Sequence, residues 1–185
     1  MSTQSESYIL FELAGATYAI SSQLVKQMEM VERITPVPNA MACVEGVIFS
    51  RGQVIPAMNL RLRFGFEKIP YDLRTRLIVI QTHDRTVGLI ADTAREFIRI
   101  PKDAIQLPPA TISNTNEKYL MGIATIGDRI ILILNVEELL NFNHLTPGST
   151  IANSVANSAA NSVANSVANS IANGSPTGSP DLTRA

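Results

Sequence analysis

The stretch Val44–Phe66, VEGVIFSRGQVIPAMNLRLRFGF, decides the fold of this 185-residue chain. Two short apolar runs stand on either side of Arg51-Gly52, which is the pattern of two β-strands joined by a tight turn. Asn59 follows the second run and is able to cap a short helix, because its side-chain oxygen accepts hydrogen bonds from free helix N–H groups. Gly65 is placed to end that helix. The stretch therefore predicts a strand, a turn, a second strand and one capped helical turn.

The same order of elements returns 76 positions later, in Leu120–Leu140, LMGIATIGDRIILILNVEELL. Gly46 aligns with Gly122 in this later segment, and Asn59 aligns with Asn135. Self-similarity at a fixed offset is the sequence signature of a repeated structural unit. The chain is therefore predicted to contain two related β units.

A second internal similarity links Leu10–Met28 with Val79–Phe97, at an offset of 69 positions. The two segments agree in their apolar positions and turn residues, and each is predicted to start with a β-hairpin. We refer to Leu10–Met28 with Val44–Phe66 as the first copy, and to Val79–Phe97 with Leu120–Leu140 as the second copy. The strands of the two predicted hairpins are Tyr8–Leu13, Thr17–Ile20, Leu77–Gln81 and Thr86–Ile90.

Short helices are predicted where capping residues follow a strand. A hydroxyl of Ser21-Ser22 is expected to cap a helix over Gln23–Gln27, and Asp92 is the corresponding cap in the second copy. Asn135 is expected to start a closing helix over Val136–Phe142.

Many short strands separated by tight turns predict an all-β fold of two small barrels. Pro36-Val37-Pro38 and Pro101 are assigned to connectors, because proline donates no hydrogen bond to a sheet. Residues 1–6 are predicted to be a flexible N-terminus, 7–145 the folded domain with two barrel subdomains, and 146–185 a low-complexity tail. Residues 151–174 of the tail are six tetrads, each an apolar residue followed by Ala-Asn-Ser or, in the last tetrad, by Ala-Asn-Gly. This composition is too weakly apolar to form a core, so the tail is predicted to be disordered.

Composition excludes several classes of function. A net charge of −1 and a pI near 6.1 give no electrostatic footprint for nucleic acid. Cys43 is the one cysteine, which rules out an internal disulfide and fits a reducing compartment. The longest aliphatic run, Ile130–Leu134, is far shorter than the roughly 20 residues that span a bilayer. With no secretion signal in its polar start MSTQSES, the chain is expected to be a soluble cytoplasmic protein that does not insert into membranes.

No catalytic constellation is found in the sequence. The two histidines, His83 and His144, have no partner at the spacing of metal ligands. Nucleophile-elbow, phosphate-loop and dinucleotide-binding motifs are absent. These observations favour a binding protein without metal or cofactor. Two alternatives stay open: a small β-barrel enzyme acting on an unidentified metabolite, and an assembly protein acting through its repeat tail.

Val44–Phe66 resembles the signature of CheW-like domains, the adaptor proteins of bacterial chemotaxis arrays. In that family the segment typically reads G-V-I-N-L-R-G, a variable pair, and then P-V-x-D-L. The resemblance extends from about Tyr8 to Phe142 and includes Leu120–Leu140. It implies a fold of two five-stranded, SH3-like β-barrels.

The resemblance also implies a function in two-component signal transduction and motility. Such a protein is a non-enzymatic scaffold that couples the cytoplasmic tip of methyl-accepting chemoreceptors to the regulatory domain of a CheA-type histidine kinase. It works in the cytoplasm, at membrane-associated receptor arrays. The kinase contact is implied to lie largely on the first barrel, and the receptor helix in the groove between the barrels.

Four residues are implied to contact partners: Val25, Gln27, Phe49 and Arg51. Arg51 matches the family's arginine near the receptor contact, whereas the second copy has Gly127 at this position, so the architecture does not require an arginine. Val25 and Gln27 match a V-x-E-I pattern whose glutamate is able to pair with that arginine. Gln27 replaces the glutamate, so a weaker, neutral hydrogen bond to Arg51 is expected.

Phe49 stands where the family has asparagine, and Gln27 is the second departure from the family pattern. Both departures suit a receptor outside the main flagellar array, such as a pilus-motility or phototaxis receptor. The residues alone also allow a simpler interpretation, in which Arg51 is a solvated turn residue and Val25 packs against its own barrel.

Overall fold

A computed structural model of the chain describes residues 4–83, 85–108 and 117–142. The repeat tail and His144 lie outside the described residues. Eleven strands and two four-residue helices within these ranges confirm the predicted all-β class. They are β1 (Ser5–Leu13), β2 (Ala16–Ser21), β3 (Val25–Met30), β4 (Val44–Ser50), β5 (Gln53–Asn59), α1 (Leu60–Arg63), β6 (Arg76–Gln81), β7 (Thr86–Ala91), β8 (Thr93–Pro101), β9 (Ile105–Gln106), β10 (Leu120–Ile126), β11 (Arg129–Leu134) and α2 (Val136–Leu139).

The strands form two sheets. One sheet has five strands in the order β3-β6-β7-β5-β4, and the other has six in the order β8-β1-β2-β11-β10-β9. Neighbouring strands are antiparallel except for one parallel pair in each sheet, β5 with β7 and β11 with β2. The six-stranded sheet therefore has one strand, the two-residue β9, more than the resemblance implies.

The two copies exchange their hairpins. The β1–β2 hairpin of the first copy lies between β8 and β11, in a sheet whose other strands belong mostly to the second copy. The β6–β7 hairpin of the second copy lies between β3 and β5, which belong to the first copy. Each sheet thus contains strands from both halves of the chain. Separating the copies along the sequence would therefore break both sheets.

The predicted helix caps at the two asparagines are present. The Asn59 side chain accepts a hydrogen bond from the Leu62 backbone N–H, 3.2 Å away. The Asn135 side chain accepts from the backbone N–H groups of Glu137 and Glu138, at 3.1 and 3.3 Å. Both helices last a single turn, so α2 ends at Leu139 and not at Phe142 as predicted.

The helix predicted over Gln23–Gln27 is wrong. Ser22–Leu24 form one 3₁₀ turn without a side-chain cap, and Val25–Met30 form strand β3. Pairing of β3 with β6 supplies more backbone hydrogen bonds than a short isolated helix would retain. Asp92 caps no helix either, because β8 begins directly after it.

Pro101 does not lie in a connector but is the last residue of β8. This strand is at the edge of the six-stranded sheet. A proline is tolerated on an edge strand because its missing N–H group can face away from the neighbouring strand.

The hairpin strands carry the core. Successive side chains of a strand point to opposite faces, yet β1 is buried at every residue from Tyr8 to Phe11. Both faces of this strand are therefore covered. The core cluster of the six-stranded sheet comprises Tyr8, Leu10, Ala19, Ile100, Ala124, Ile131 and Ile133. That of the five-stranded sheet comprises Ile48, Ile55, Ala57, Leu77, Val79 and Ile90.

Two arginines of α1 connect the sheets through polar contacts. The guanidinium of Arg61 makes two 2.7 Å hydrogen bonds to the carboxylate of Asp92, which also accepts from the Ala14 backbone N–H at the β1–β2 turn. Arg63 is buried and donates to the backbone carbonyls of Leu139 and Asn141, at 2.9 and 2.8 Å. These bonds fix α1 of the five-stranded sheet against elements of the six-stranded sheet.

Candidate partner-binding surface

The β4–β5 hairpin exposes a pair of apolar side chains. Phe49 and Val54 lie directly opposite each other on the two strands. Their exposed fractions are 68% and 65%, far above those of the core residues. Directly opposed side chains on one face of a hairpin lie within contact distance. Phe49 and Val54 therefore form a continuous apolar surface, which we call the hairpin patch.

The turn beyond the hairpin patch holds Arg51 in an uncommon conformation. Arg51 and Gly52 have φ angles of 45° and 84°, the left-handed pair that closes a two-residue hairpin. Gly127, the counterpart of Arg51 in the second copy, also has a positive φ of 59°. Side chains with a Cβ atom disfavour this region, so the turn alone would favour glycine at position 51.

Below the hairpin patch, polar side chains join the two edges of the five-stranded sheet. Gln27 Nε2 of β3 donates to Ser50 Oγ of β4 at 2.7 Å and to Glu29 Oε2 at 3.3 Å. Ser50 Oγ in turn donates to Glu29 Oε1 at 2.7 Å. Since β3 and β4 are the opposite edge strands of this sheet, the three side chains close it into a barrel.

The structure brings together three of the four residues implied by sequence. Gln27 lies beside Ser50, whose chain neighbours are Phe49 and Arg51. Val25 is half-buried at the start of β3, opposite Ile80, and so lies farther along the same strand.

The expected hydrogen bond between Gln27 and Arg51 is not present among the described residues. The amide of Gln27 is directed to Glu29 and Ser50 instead. The bonds of Gln27 to Glu29 and Ser50 are part-buried, whereas Arg51 is exposed, so a bond to its guanidinium would compete with water.

Two exposed methionines next to this surface were not anticipated. Met28 and Met30 of β3 have exposed fractions of 42% and 51%, while Gln27 and Glu29 between and beside them are half-buried. Part of the signal was available, because Gln27–Met30, QMEM, alternates polar and apolar residues with the period of two that indicates a strand. The preceding serines favoured a helix and hid that alternation.

The second copy contains an ion pair at the counterpart of Gln27. Glu96 of β8 is the counterpart of Gln27, and its carboxylate binds Arg129, the first residue of β11, through two hydrogen bonds of 2.7 and 2.9 Å. The hydrogen bonds from Arg129 hold the pKa of Glu96 below its usual value. Arg129 aligns with Gln53 of the first copy and not with Arg51, so this ion pair has no direct equivalent there.

Another cleft among the described residues is lined mainly by polar side chains. His83 and Glu137 line a shallow cleft together with Lys26, Gln23 and Thr82. Within the described ranges, no group of three His, Cys, Asp or Glu side chains is arranged to hold a metal ion. No helix in the same ranges is long and apolar enough to cross a membrane.

Replacement of Arg51 by glycine is expected to stabilise the fold slightly. Glycine has no Cβ and adopts the left-handed conformation without strain, which favours the folded state by about 0.5–1 kcal/mol. Urea unfolding of the wild type and the variant measures the difference. Arg51→Ala is the matched control, because it removes the same side chain but keeps the Cβ, and no gain is expected from it. A loss of stability in Arg51→Gly would show that the guanidinium supports the turn.

Comparison with known proteins identifies related sequences and a related structure. The family model described as "CheW-like domain" matches residues 7–143. The chemotaxis protein CheW of Helicobacter pylori is 36% identical over 135 residues, which cover 72% of this chain and 80% of the relative. That of Klebsiella aerogenes is 24% identical over 152 residues, covering 82% and 92%. The crystal structure of the scaffolding protein TtCheW from Thermoanaerobacter tengcongensis has a TM-score of 0.67 and 28% identity, covering 80% of this chain and 94% of that protein.

Proposed function

The chain belongs to the CheW-like domain family, and from this premise we propose the contacts through which it works. Its function is that of a chemotaxis scaffold adaptor, which couples receptors to the histidine kinase CheA. Members of this family are non-enzymatic, and we extend this property to the present chain. The alternatives of a small enzyme and of an assembly protein are not favoured by these relationships.

The hairpin patch is the observation that supports a receptor contact on this chain. Single exposed apolar residues are common on protein surfaces, but Phe49 and Val54 are directly opposed and both are mostly exposed. Arg51 adds a cation at the tip of the same hairpin, and Gln27 of β3 is hydrogen-bonded to Ser50 beside it. Val25 lies farther along β3. We assign this surface to the cytoplasmic tip of a methyl-accepting receptor.

The kinase contact is assigned to the sheet that contains Val44–Phe66. The exchange of hairpins means that this sheet consists of β3 to β7, not of the N-terminal half of the chain. The partner there is the regulatory domain of a CheA-type kinase. We propose that residues 7–145 carry both contacts, and that the protein acts in the cytoplasm at receptor arrays.

Binding measurements with the two partners test this function. The full chain is expected to bind the isolated regulatory domain of a CheA-type kinase and, at the same time, a fragment of a methyl-accepting receptor that contains its cytoplasmic tip. A chain ending at residue 145 is the control, and it is expected to keep both affinities, because no residue assigned to either contact lies in the tail. Absence of binding to every receptor and kinase fragment of a panel would contradict the adaptor function. Loss of binding in the shortened chain would favour assembly through the tail.

A further inference from the structure

Met28 and Met30 lie on one face of β3, an edge strand of the five-stranded sheet. Side chains two positions apart in a strand point in the same direction, so the two are separated by about 7 Å along the strand. Their exposed fractions are 42% and 51%, whereas that of Met58 in the interior is 1%. Met28 and Met30 therefore form an exposed pair of thioethers, which we call the methionine pair.

The fold does not require methionine at these two positions. Their counterparts in the second copy are Phe97 and Arg99. The residues enriched in strands are β-branched and aromatic ones. Methionine is instead common at surfaces that adapt to a partner, because its unbranched side chain and polarisable sulfur fit irregular contacts. The methionine pair thus fits a contact with a partner better than a need of the sheet.

The cysteine of the chain is protected from oxidants, unlike the methionine pair. Cys43 is buried, and burial raises the pKa of its thiol. Oxidants react with the thiolate, so a buried thiol with a raised pKa is inert. Among the described residues, oxidation is therefore expected first at the exposed thioethers, which are Met28, Met30 and Met121.

We propose that the methionine pair is a site of reversible oxidation, and that its oxidation weakens the contact with the kinase regulatory domain. The oxidant is hydrogen peroxide. A sulfur lone pair attacks one peroxide oxygen, the S–O bond forms as the O–O bond breaks, and the second oxygen leaves as water. The sulfur loses two electrons and becomes a sulfoxide. Methionine sulfoxide reductases reverse the step, with two thiols oxidised to a disulfide and the oxygen released as water.

The sulfoxide acts on binding through its polarity. It converts a flexible apolar side chain into a polar one. A polar oxygen that is buried in a contact without a hydrogen-bond donor is unfavourable. This inference rests on the kinase contact proposed above, which was assigned to the sheet that contains β3.

Peptide mass spectrometry of the full chain after peroxide treatment measures which sulfurs react. Met28 and Met30 are expected to be oxidised well before Met58, which the core shields from solvent. Met121, with an exposed fraction of 45%, is the internal reference for an accessible thioether. Oxidation of the methionine pair no faster than that of Met58 would overturn the proposal.

Titration calorimetry with the isolated regulatory domain of a CheA-type kinase measures the effect on binding. Peroxide treatment is expected to weaken binding of the wild type about tenfold or more, as burial of an unpaired polar group predicts. A methionine sulfoxide reductase with a dithiol is expected to restore the affinity. The double variant Met28→Leu with Met30→Leu has similar side-chain volumes but no sulfur, so peroxide is expected to change its own affinity less than about twofold. Met121→Leu is the matched control, and it is expected to respond to peroxide as the wild type does.

Three results would overturn the proposal while the kinase contact still stands. The first is an unchanged kinase affinity after oxidation of the methionine pair, and the second is an equal loss in the double variant. The third is a loss that unfolding curves trace to unfolding of the oxidised chain. Failure of the untreated wild type to bind any kinase regulatory domain would instead remove the kinase contact and this inference together.

Discussion

Replacement of Phe49 by aspartate is expected to lower the affinity for a receptor tip about 100-fold, because central aromatic side chains of an interface commonly contribute 2 kcal/mol or more to binding. Phe49 is 68% exposed and directly faces Val54, so burial of this pair on binding would remove a large apolar surface from water. An aspartate would instead bring a charge into that contact, and it would also attract Arg51 within the chain.

The second copy provides the control for this variant. Thr125 is the counterpart of Phe49, lies opposite Ile130 on the β10–β11 hairpin and is exposed. Thr125→Asp makes the same chemical change in an equivalent hairpin, and it is expected to leave receptor affinity unchanged. Unfolding curves of both variants check that neither loses its fold. Equal affinity losses in the two variants, or a loss in Thr125→Asp alone, would place the receptor contact elsewhere.

The sequence predicted the local elements well because their signals are local. Gly127, like Arg51-Gly52, lies at a sharp turn, and the asparagines at 59 and 135 cap the helices that follow. The two offsets also predicted which strands are equivalent. Each of these inferences needs only residues that are close together in the chain.

The exchange of hairpins was not predictable in the same way. It depends on β2 pairing in parallel with β11, through Thr17 with Ile131, and on β5 pairing in parallel with β7, through Ala57 with Gly88. These pairings join residues far apart in sequence, and the apolar pattern of a strand does not state which neighbour it pairs with. The repeat gave the number of units but not the partners of their strands.

The candidate surface was predicted in part for the same reason. Phe49 and Arg51 were placed on one hairpin because they belong to the stretch that also determines the turn. The predicted hydrogen-bond partner of Gln27, Arg51, was wrong. Gln27 instead contacts Ser50 and Glu29, and Ser50 comes near it only when the sheet closes on itself. Met28 was missed because a capping signal at Ser21-Ser22 outweighed the alternation of β3. Side-chain partners across a closing sheet require the three-dimensional structure.

Gly46 is expected to be the least tolerant of replacement among the glycines that the structure describes. It lies at a β-bulge, where the register of β4 against β5 shifts between Val44 and Gly46, and its φ is 145°. A Cβ added at this position would collide with the backbone carbonyl of Thr35. Thr35 is itself held in place by two backbone hydrogen bonds to Val47, of 2.9 and 2.8 Å. The backbone therefore has no room to move aside.

Gly46→Ala is expected to lower the free energy of unfolding by at least about 3 kcal/mol, because it combines a disfavoured φ with a backbone collision. Gly122→Ala is the matched variant at the same bulge of the second copy. There the added Cβ would meet the Ile105 side chain and, at 3.1 Å, the backbone oxygen of Gln106, but Gly122 has no positive φ and the closest contact is not with backbone, so a smaller loss of about 1–2 kcal/mol is expected. Urea unfolding monitored by circular dichroism compares the two. Equal losses of unfolding free energy in the two variants would contradict this expectation. They would mean that the backbone at Thr35 moves aside as easily as the Ile105 side chain, and that its hydrogen bonds to Val47 do not hold it in place.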